Sequence, residues 1–143
     1  MRVIVLVDGE HYPPVTRWAI EVAAERGYEV LAALLVGGTE KLRPDEAIEL
    51  GAPVIVVRGD RMSSLGHAIS RYGPEAVLDL SDEPVLGYRE RMDLAAVALS
   101  AGIPYLGPDF RLDPPIVGAP LAAPTLAVIG TGKRTGKTAI AGE

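Results

Sequence analysis

The stretch Val3-Ile4-Val5-Leu6-Val7-Asp8-Gly9-Glu10-His11-Tyr12-Pro13-Pro14-Val15 decides the fold. Its first five residues form a continuous β-branched and leucine run, short enough for a strand buried on both faces. An acidic turn follows from Asp8 to Tyr12, and Pro13-Pro14 can open a helix because proline fits its first turn. Val15, Ala19, Val22 and Ala23 then share one helical face, with Gly27 as the stop. Strand, loop and helix in that order are the beginning of a parallel β-α-β unit.

Working outward, the same alternation repeats. Val30 to Val36 is a second apolar run ending at Gly37-Gly38, and Pro44 to Leu50 reads as a two-turn helix closed by Gly51. Val54 to Val57 is the third strand. Leu65, Ala68, Ile69 and Tyr72 mark a helix stopped by Gly73-Pro74. Ala76 to Leu78 is the fourth strand, Met92, Ala95, Ala96 and Leu99 mark a further helix, and Ile103 to Leu106 is a short fifth strand. Trp18 and Met92 are expected to be packing residues, and His67 a surface one. The pattern predicts an α/β fold with a Rossmann-like, doubly wound parallel sheet of about five strands. From Gly107 to Pro124 five prolines interrupt any regular element, so residues 108–124 read as a linker and 1–107 as the first domain. Leu126 to Ile129 starts a new strand, and 125–143 reads as the truncated beginning of a second domain.

Composition agrees with this class. The chain has 143 residues, 48% of them hydrophobic and 23% charged, with aromatics at only 5%. A core built from Val, Ile, Leu and Ala suits buried parallel strands under Ala-rich helices. The formal net charge of -5 argues against a general nucleic-acid or membrane-surface binder. There is no Cys, hence no disulfide framework or thiolate metal site. The N-terminus lacks the apolar stretch and cleavage site of a signal peptide, and no run reaches the ~18 apolar residues that suggest a membrane span. The expected location is cytoplasmic.

The most specific motif is Gly130-Thr131-Gly132-Lys133-Arg134-Thr135-Gly136-Lys137-Thr138, placed after a strand and before a helix start. Small residues let successive backbone N–H groups converge on phosphate oxygens, and the following helix adds the positive end of its dipole. Lys137 would reach the β- and γ-phosphates of ATP, and the Thr138 hydroxyl would ligate Mg²⁺. A strict G-x-x-x-x-G-K-[ST] would have glycine at position 131, where Thr131 stands. The longer Gly130–Gly136 spacing resembles the P-loops of dethiobiotin-synthetase-type ATPases. A P-loop works only within its own sheet, so the fragment alone is expected to be inactive.

The Val7-Asp8-Gly9-Glu10-His11-Tyr12-Pro13-Pro14-Val15 segment, Gly37-Gly38-Thr39-Glu40-Lys41-Leu42 and the Gly130–Thr138 loop together resemble the cyclic 2,3-diphosphoglycerate synthetase family. The resemblance implies the front part of a longer ATP- and Mg²⁺-dependent ligase that closes an intramolecular phosphoanhydride in 2,3-diphosphoglycerate, with Lys137 and His11 as the catalytic candidates.

In an open parallel sheet, ligands sit beyond the carboxyl ends of the strands. That rim carries Asp8, Glu10 and His11 after the first strand, Lys41 and Arg43 after the second, Arg58 and Arg61 after the third, and Arg89 and Arg91 after the fourth. Paired guanidiniums suit phosphates, so Asp8, Glu10, His11, Lys41, Arg58 and Arg89 are the candidate substrate-binding residues. Asp8 and Glu10 could hold Mg²⁺ or orient His11, or act only as turn and capping residues. The cluster Asp79-Leu80-Ser81-Asp82-Glu83 is a weaker candidate for a cation. A second reading makes the domain a non-catalytic module, mediating homodimerisation or regulation in a P-loop ATP- or GTP-dependent ligase or kinase.

Overall fold

A computed structural model describes residues 1–39, 48–119, 122–130 and 132. Six strands form one sheet: β1 (Arg2–Val7), β2 (Glu29–Leu35), β3 (Val54–Val56), β4 (Ala76–Asp79), β5 (Tyr105–Leu106) and β6 (Arg111–Leu112). Three helices connect them: α1 (Pro13–Glu25), α2 (Arg61–Tyr72) and α3 (Tyr88–Ser100). The strand order is β3-β2-β1-β4-β5-β6, parallel from β3 to β5, with β6 antiparallel to β5.

Period-two alternation along each buried strand divides the core into two layers. Val3, Val5 and Val7 of β1, with Ala33 and Leu35 of β2 and Leu78 of β4, pack toward Ile20 and Ala23 of α1. Ile4, Leu6, Leu34 and Val77 pack the other way, against Leu65 and Ala68 of α2 and Leu94, Ala95 and Ala98 of α3. Helices therefore cover both faces, as a doubly wound sheet requires. The chain runs outward from β1 to β3, then returns to place β4 on the other side of β1. The loops leaving β1 and β4 consequently lead to opposite layers, and a crevice opens between them.

The helix boundaries follow local chemistry. Asp60 caps α2, its side chain accepting from the Ser63 N–H at 2.8 Å. Gly73 ends the helix in the left-handed region at φ 55°, its N–H bonded to the Ile69 carbonyl. Leu65 and Ala68 are buried in α2, with Ile69 and Tyr72 packed against the same cluster, so this stripe matches the sequence pattern.

Three expectations are corrected. In α1 the buried face is Thr16, Ile20 and Ala23, not the face carrying Val15 and Val22, and Trp18 is 63% exposed rather than packed. The helix has apolar residues on most of its circumference, so several stripes fit the sequence. In α3, likewise, the buried set is Leu94, Ala95 and Ala98, while Ala96 faces solvent and Met92 is only half-buried. The second correction concerns residues 108–112, read as linker but containing β6. Gly107-Pro108-Asp109-Phe110 is a tight turn, with the Gly107 N–H bonded to the Phe110 carbonyl at 2.9 Å. Proline at its second position suits a reverse turn as well as it suits a linker. A side chain at position 107 would collide with the Phe110 ring, which folds back to stack on Tyr105 with centroids 6.1 Å apart.

The strand expected at Leu126–Ile129 is not formed, and those two residues are 91% and 88% exposed. A strand exists only through its ladder, and no described strand lies alongside to pair with it. Of the helix expected at Pro44–Leu50, residues 44–47 lie outside the described residues and 48–50 are irregular. Lys41 and Arg43 also lie outside them, as do Thr131 and Lys133 through Thr138 of the phosphate-loop motif.

The corrected face of α1 makes a direct test. Ile20→Ala should cost about 2–5 kcal/mol by emptying a core position. Trp18→Ala should stay within about 0.5 kcal/mol of the parent, as an exposed substitution does. Chemical denaturation of both variants checks this, and equal losses would restore the helix face read from sequence.

Candidate functional site

Asp8 directly follows the first strand at the head of the crevice, only 3% exposed, and both oxygens of its carboxylate accept hydrogen bonds. One oxygen, Oδ1, accepts the Glu10 N–H at 3.1 Å, the His11 N–H at 3.2 Å and the His11 Nδ1 at 2.8 Å. The other, Oδ2, accepts the Asp82 N–H at 3.0 Å, reaching across to the loop that leaves β4. Burial pushes the Asp8 carboxyl up, but the hydrogen bonds from His11 and from the Asp82 and His11 amides outweigh it, leaving the carboxyl below its ordinary range. Asp8 is thus an ionised organiser of the β1 and β4 loops. Of its open roles, the structure displays turn chemistry and orientation of His11.

The orientation has a chemical consequence. An ionised carboxylate only accepts, so the proton in its bond to His11 resides on Nδ1. In the neutral imidazole, Nε2 then carries the lone pair. The His11 side chain is 44% exposed. It lines both a cavity of about 620 Å³, shared with Glu10, Tyr12, Arg17, Ile48 and Leu50, and a smaller groove formed with Val15, Ala19 and Leu80.

Backbone packing fixes the neighbouring loop. The Gly9 N–H donates to the Gly37 carbonyl at 2.8 Å, and a side chain at Gly9 would strike the Gly38 carbonyl. Gly38 has φ 69°, where glycine avoids strain. The two loops therefore touch main chain to main chain.

This geometry differs from a dinucleotide cradle. Such a cradle needs a glycine-rich turn and free N–H groups at the first helix. Here Pro13 and Pro14 have no N–H. The next two donors, on Val15 and Thr16, both point at the Tyr12 carbonyl, at 2.8 and 3.4 Å. A buried carboxylate, not a glycine, follows β1.

The rim arginines divide into two kinds. Arg61 donates through Nε to the Val36 carbonyl at 2.6 Å, through Nη1 to Glu90 at 2.7 Å and through Nη2 to the Val85 carbonyl at 3.3 Å. Glu90 in turn accepts the Gly87 N–H at 2.9 Å, completing a tie between the β2 loop and the starts of α2 and α3. Arg91 donates to Asp79 Oδ2 at 2.6 Å and to the Ser81 carbonyl at 3.0 Å. Asp79 is 2% exposed and also receives the Tyr105 hydroxyl at 2.7 Å. Burial, then the Asp79 charge, pushes the Tyr105 phenol far up, so it remains a donor. Arg58 and Arg89 are exposed, and among the described residues their guanidiniums have no partner.

The structure thus gathers Asp8, His11 and the Glu10 amide at the crevice, and leaves Arg58 and Arg89 exposed. It leaves Lys41, Lys137 and Thr138 outside the described residues, while Gly130 and Gly132 are described, the first half-buried and the second exposed. Among the described residues no group of three His, Asp or Glu side chains gathers as a metal site, so the Asp79–Glu83 cluster does not form one. Asp79 instead neutralises Arg91. The structural roles of Asp79, Arg91 and Tyr105 were missed in sequence, where the only signal was an acid at a strand end with Arg twelve residues on. No described helix is long and apolar enough to cross a membrane.

Two outcomes follow for stability. Arg91→Ala leaves a buried carboxylate with only Tyr105 and Ser81 for company and should cost about 3–5 kcal/mol; a loss below about 1 kcal/mol in urea unfolding would contradict the buried pair. Asp8 is depressed in the folded chain, so its contribution is complete above the ordinary value of 3.8 and is lost as pH falls through the lower folded value. Asp8→Asn should therefore narrow its stability deficit relative to the parent as pH drops below about 4, read by melting at a series of pH values.

A family model described as the N-terminal domain of cyclic 2,3-diphosphoglycerate synthetase matches residues 2–113. The cyclic 2,3-diphosphoglycerate synthetase of Rubrobacter xylanophilus is 51% identical over 143 residues, covering 99% of this chain and 32% of that protein. The synthetase of Methanothermobacter thermautotrophicus is 46% identical, over 96% of this chain and 31% of its own length. The chain spans about a third of the length of these relatives. Among solved structures, a UDP-glucose 4-epimerase of Thermus thermophilus aligns at 21% identity and TM-score 0.45, over 72% of this chain and 35% of that one, too distant to carry an inference. With more than three quarters of its residues inside the family match, this chain belongs to the cyclic 2,3-diphosphoglycerate synthetase family, in the region of the N-terminal domain.

Proposed function

We propose that this chain is the substrate-handling front of an ATP-dependent ligase that cyclises 2,3-diphosphoglycerate, its rim binding or enclosing the substrate while the Gly130–Thr138 loop begins the ATP site. The observation that carries the reading is the division of the rim cations. Arg61 and Arg91 are consumed by internal partners, whereas Arg58 and Arg89 are exposed and without partners among the described residues.

Joining two phosphates of one small molecule requires two clustered negative groups to approach each other. Their repulsion in a partly desolvated site is several kcal/mol at a few ångströms, of the order of 4 kcal/mol for unit charges at 4 Å and an effective dielectric of 20. Arg58 and Arg89 would offset it, each guanidinium offering two parallel N–H donors to a phosphate. Lys41 would add a third cation, and Glu10 would orient a substrate hydrogen-bond donor. His11 would take a proton from a phosphate monoanion at Nε2, sharpening that oxygen as a nucleophile, while Asp8 stabilises the imidazolium that forms. Phosphate has its second pKa near 6, so an imidazole suits this transfer.

The residues fit a nucleotide by their donor chemistry: Gly130, Gly132 and Gly136 allow converging amides, Lys133, Arg134 and Lys137 supply cations, Thr131 and Thr135 supply hydroxyls, and Thr138 offers an oxygen to Mg²⁺. When bound, ATP with Mg²⁺ would supply the phosphoryl activation that turns a substrate oxygen into a leaving group. The partition into a Rossmann-like domain, a Pro-rich connection and the start of a P-loop domain, in a cytoplasmic protein, completes the proposal.

Calorimetric titration of residues 1–143 with 2,3-diphosphoglycerate tests it. Binding should weaken as salt rises, and Arg58→Ala or Arg89→Ala should each cost about tenfold, or roughly 1.4 kcal/mol. His11→Gln should leave binding within about twofold while lowering turnover of the full-length enzyme by about 10²-fold or more. No heat of binding, together with an unchanged substrate KM in full-length Arg58→Ala and Arg89→Ala, would remove the rim from the mechanism.

A further inference from the structure

Helix α1 has two apolar faces; the fold fully buries one and leaves the other half-buried at Ala19 and Val22 and exposed at Val15 and Trp18. Thr16, Ile20 and Ala23 are buried against the sheet. About a third of a turn round the helix, Val15, Trp18, Ala19 and Val22 form a second stripe at the i, i+3, i+4, i+7 spacing that normally marks a core-facing surface. Trp18 is 63% and Val15 49% exposed, and Tyr12, just before the helix, is 73% exposed. An exposed tryptophan flanked by two valines and a tyrosine is unusual on a free surface and typical of an interface centre.

The connecting segment shows the same unmet burial. Ile116, Val117, Leu126 and Ile129 are between 88% and 100% exposed on the stretch that leads toward the phosphate-loop motif. Both the α1 stripe and this segment are thus apolar surfaces that the fold leaves largely uncovered. The body that makes up the other two thirds of the relatives' length is attached through that segment and can cover both. The stripe is also continuous with the crevice, because Val15 and Ala19 line the groove that reaches Asp8 and His11.

We infer that the Val15–Trp18–Val22 face of α1 is the docking surface for the P-loop-bearing body of the full-length synthetase. Docking there brings that body against the crevice holding His11, so the α1 face sets how the two halves of the site meet. The inference does not require the rim to bind phosphoglycerate and fails separately from it.

The chain has one tryptophan, which makes Trp18 its own reporter. Acrylamide quenching is compared between residues 1–143 and the full-length protein containing them, with other tryptophans replaced by phenylalanine. Trp18 should be readily quenched in residues 1–143 and protected at least about threefold in the full-length protein, as an interface core excludes solvent. Val15→Glu should abolish that protection while leaving the melting temperature of residues 1–143 unchanged, which shows that the helix itself still folds. Equal quenching in both proteins would overturn the inference. So would a concentration-dependent protection of Trp18 in residues 1–143 with sedimentation as a dimer, since a second copy would then be the occupant.

Discussion

The crevice between β1 and β4 depends on one buried carboxylate. Reversal of strand order at this point sends the two loops to opposite layers of the sheet, so nothing in the backbone ladder holds them together. Asp8 does so with a single side chain, accepting three donors from its own loop and one from the loop after β4. Four hydrogen bonds to a charged acceptor offset the cost of burying it, whereas an Asp with fewer donors would be protonated or expelled to solvent. The same bond that satisfies Asp8 fixes the tautomer of His11. The burial of Asp8 and the tautomer of His11 are therefore set by one bond.

Charge on the rim follows a similar economy. Each layer junction is closed by an arginine that reaches carbonyls and one carboxylate at once: Arg61 between the β2 loop and α3, Arg91 between β4 and its own loop. A planar guanidinium holds its five donors in a rigid fork, so one side chain can fix a carboxylate and a carbonyl in set directions, where lysine offers a flexible point charge. Once these two are assigned, the surplus positive charge on the described rim narrows to Arg58 and Arg89. Counting basic residues near strand ends overstates the surplus charge, because two of them are neutralised internally.

Much of the fold was legible because β1 and β2 are nearly pure Val, Leu, Ile and Ala, a composition that only a strand buried on both faces tolerates. The stripe of α2 was legible too, since Ser63, Ser64, His67 and Arg71 share one polar side and leave the other apolar. The faces of α1 and α3 were not, because Ala and Val on several sides fit more than one stripe, and the choice is made by the sheet. The β6 hairpin was hidden by Pro108, which suits a turn and a linker equally. At the site, Asp8 and His11 were visible as neighbours in sequence. The long-range partners were not: nothing local announces that Asp82 would lend its amide to Asp8, or that Tyr105 would meet Asp79 across twenty-six residues.

The two readings of α1 are not simply one right and one wrong. Val15, Ala19, Val22 and Ala23 do form an apolar stripe, and a helix carrying it would bury that stripe if a surface were available. The sheet takes the neighbouring stripe, in which Ile20 and Ala23 share a buried cluster with Val5, Val7 and Leu35. An isolated domain gains nothing from keeping Trp18 and Val15 in water, and polar residues at those positions would serve its solubility better. On the docking inference, the helix packs on two sides at once, with the sheet on one and the P-loop-bearing body on the other.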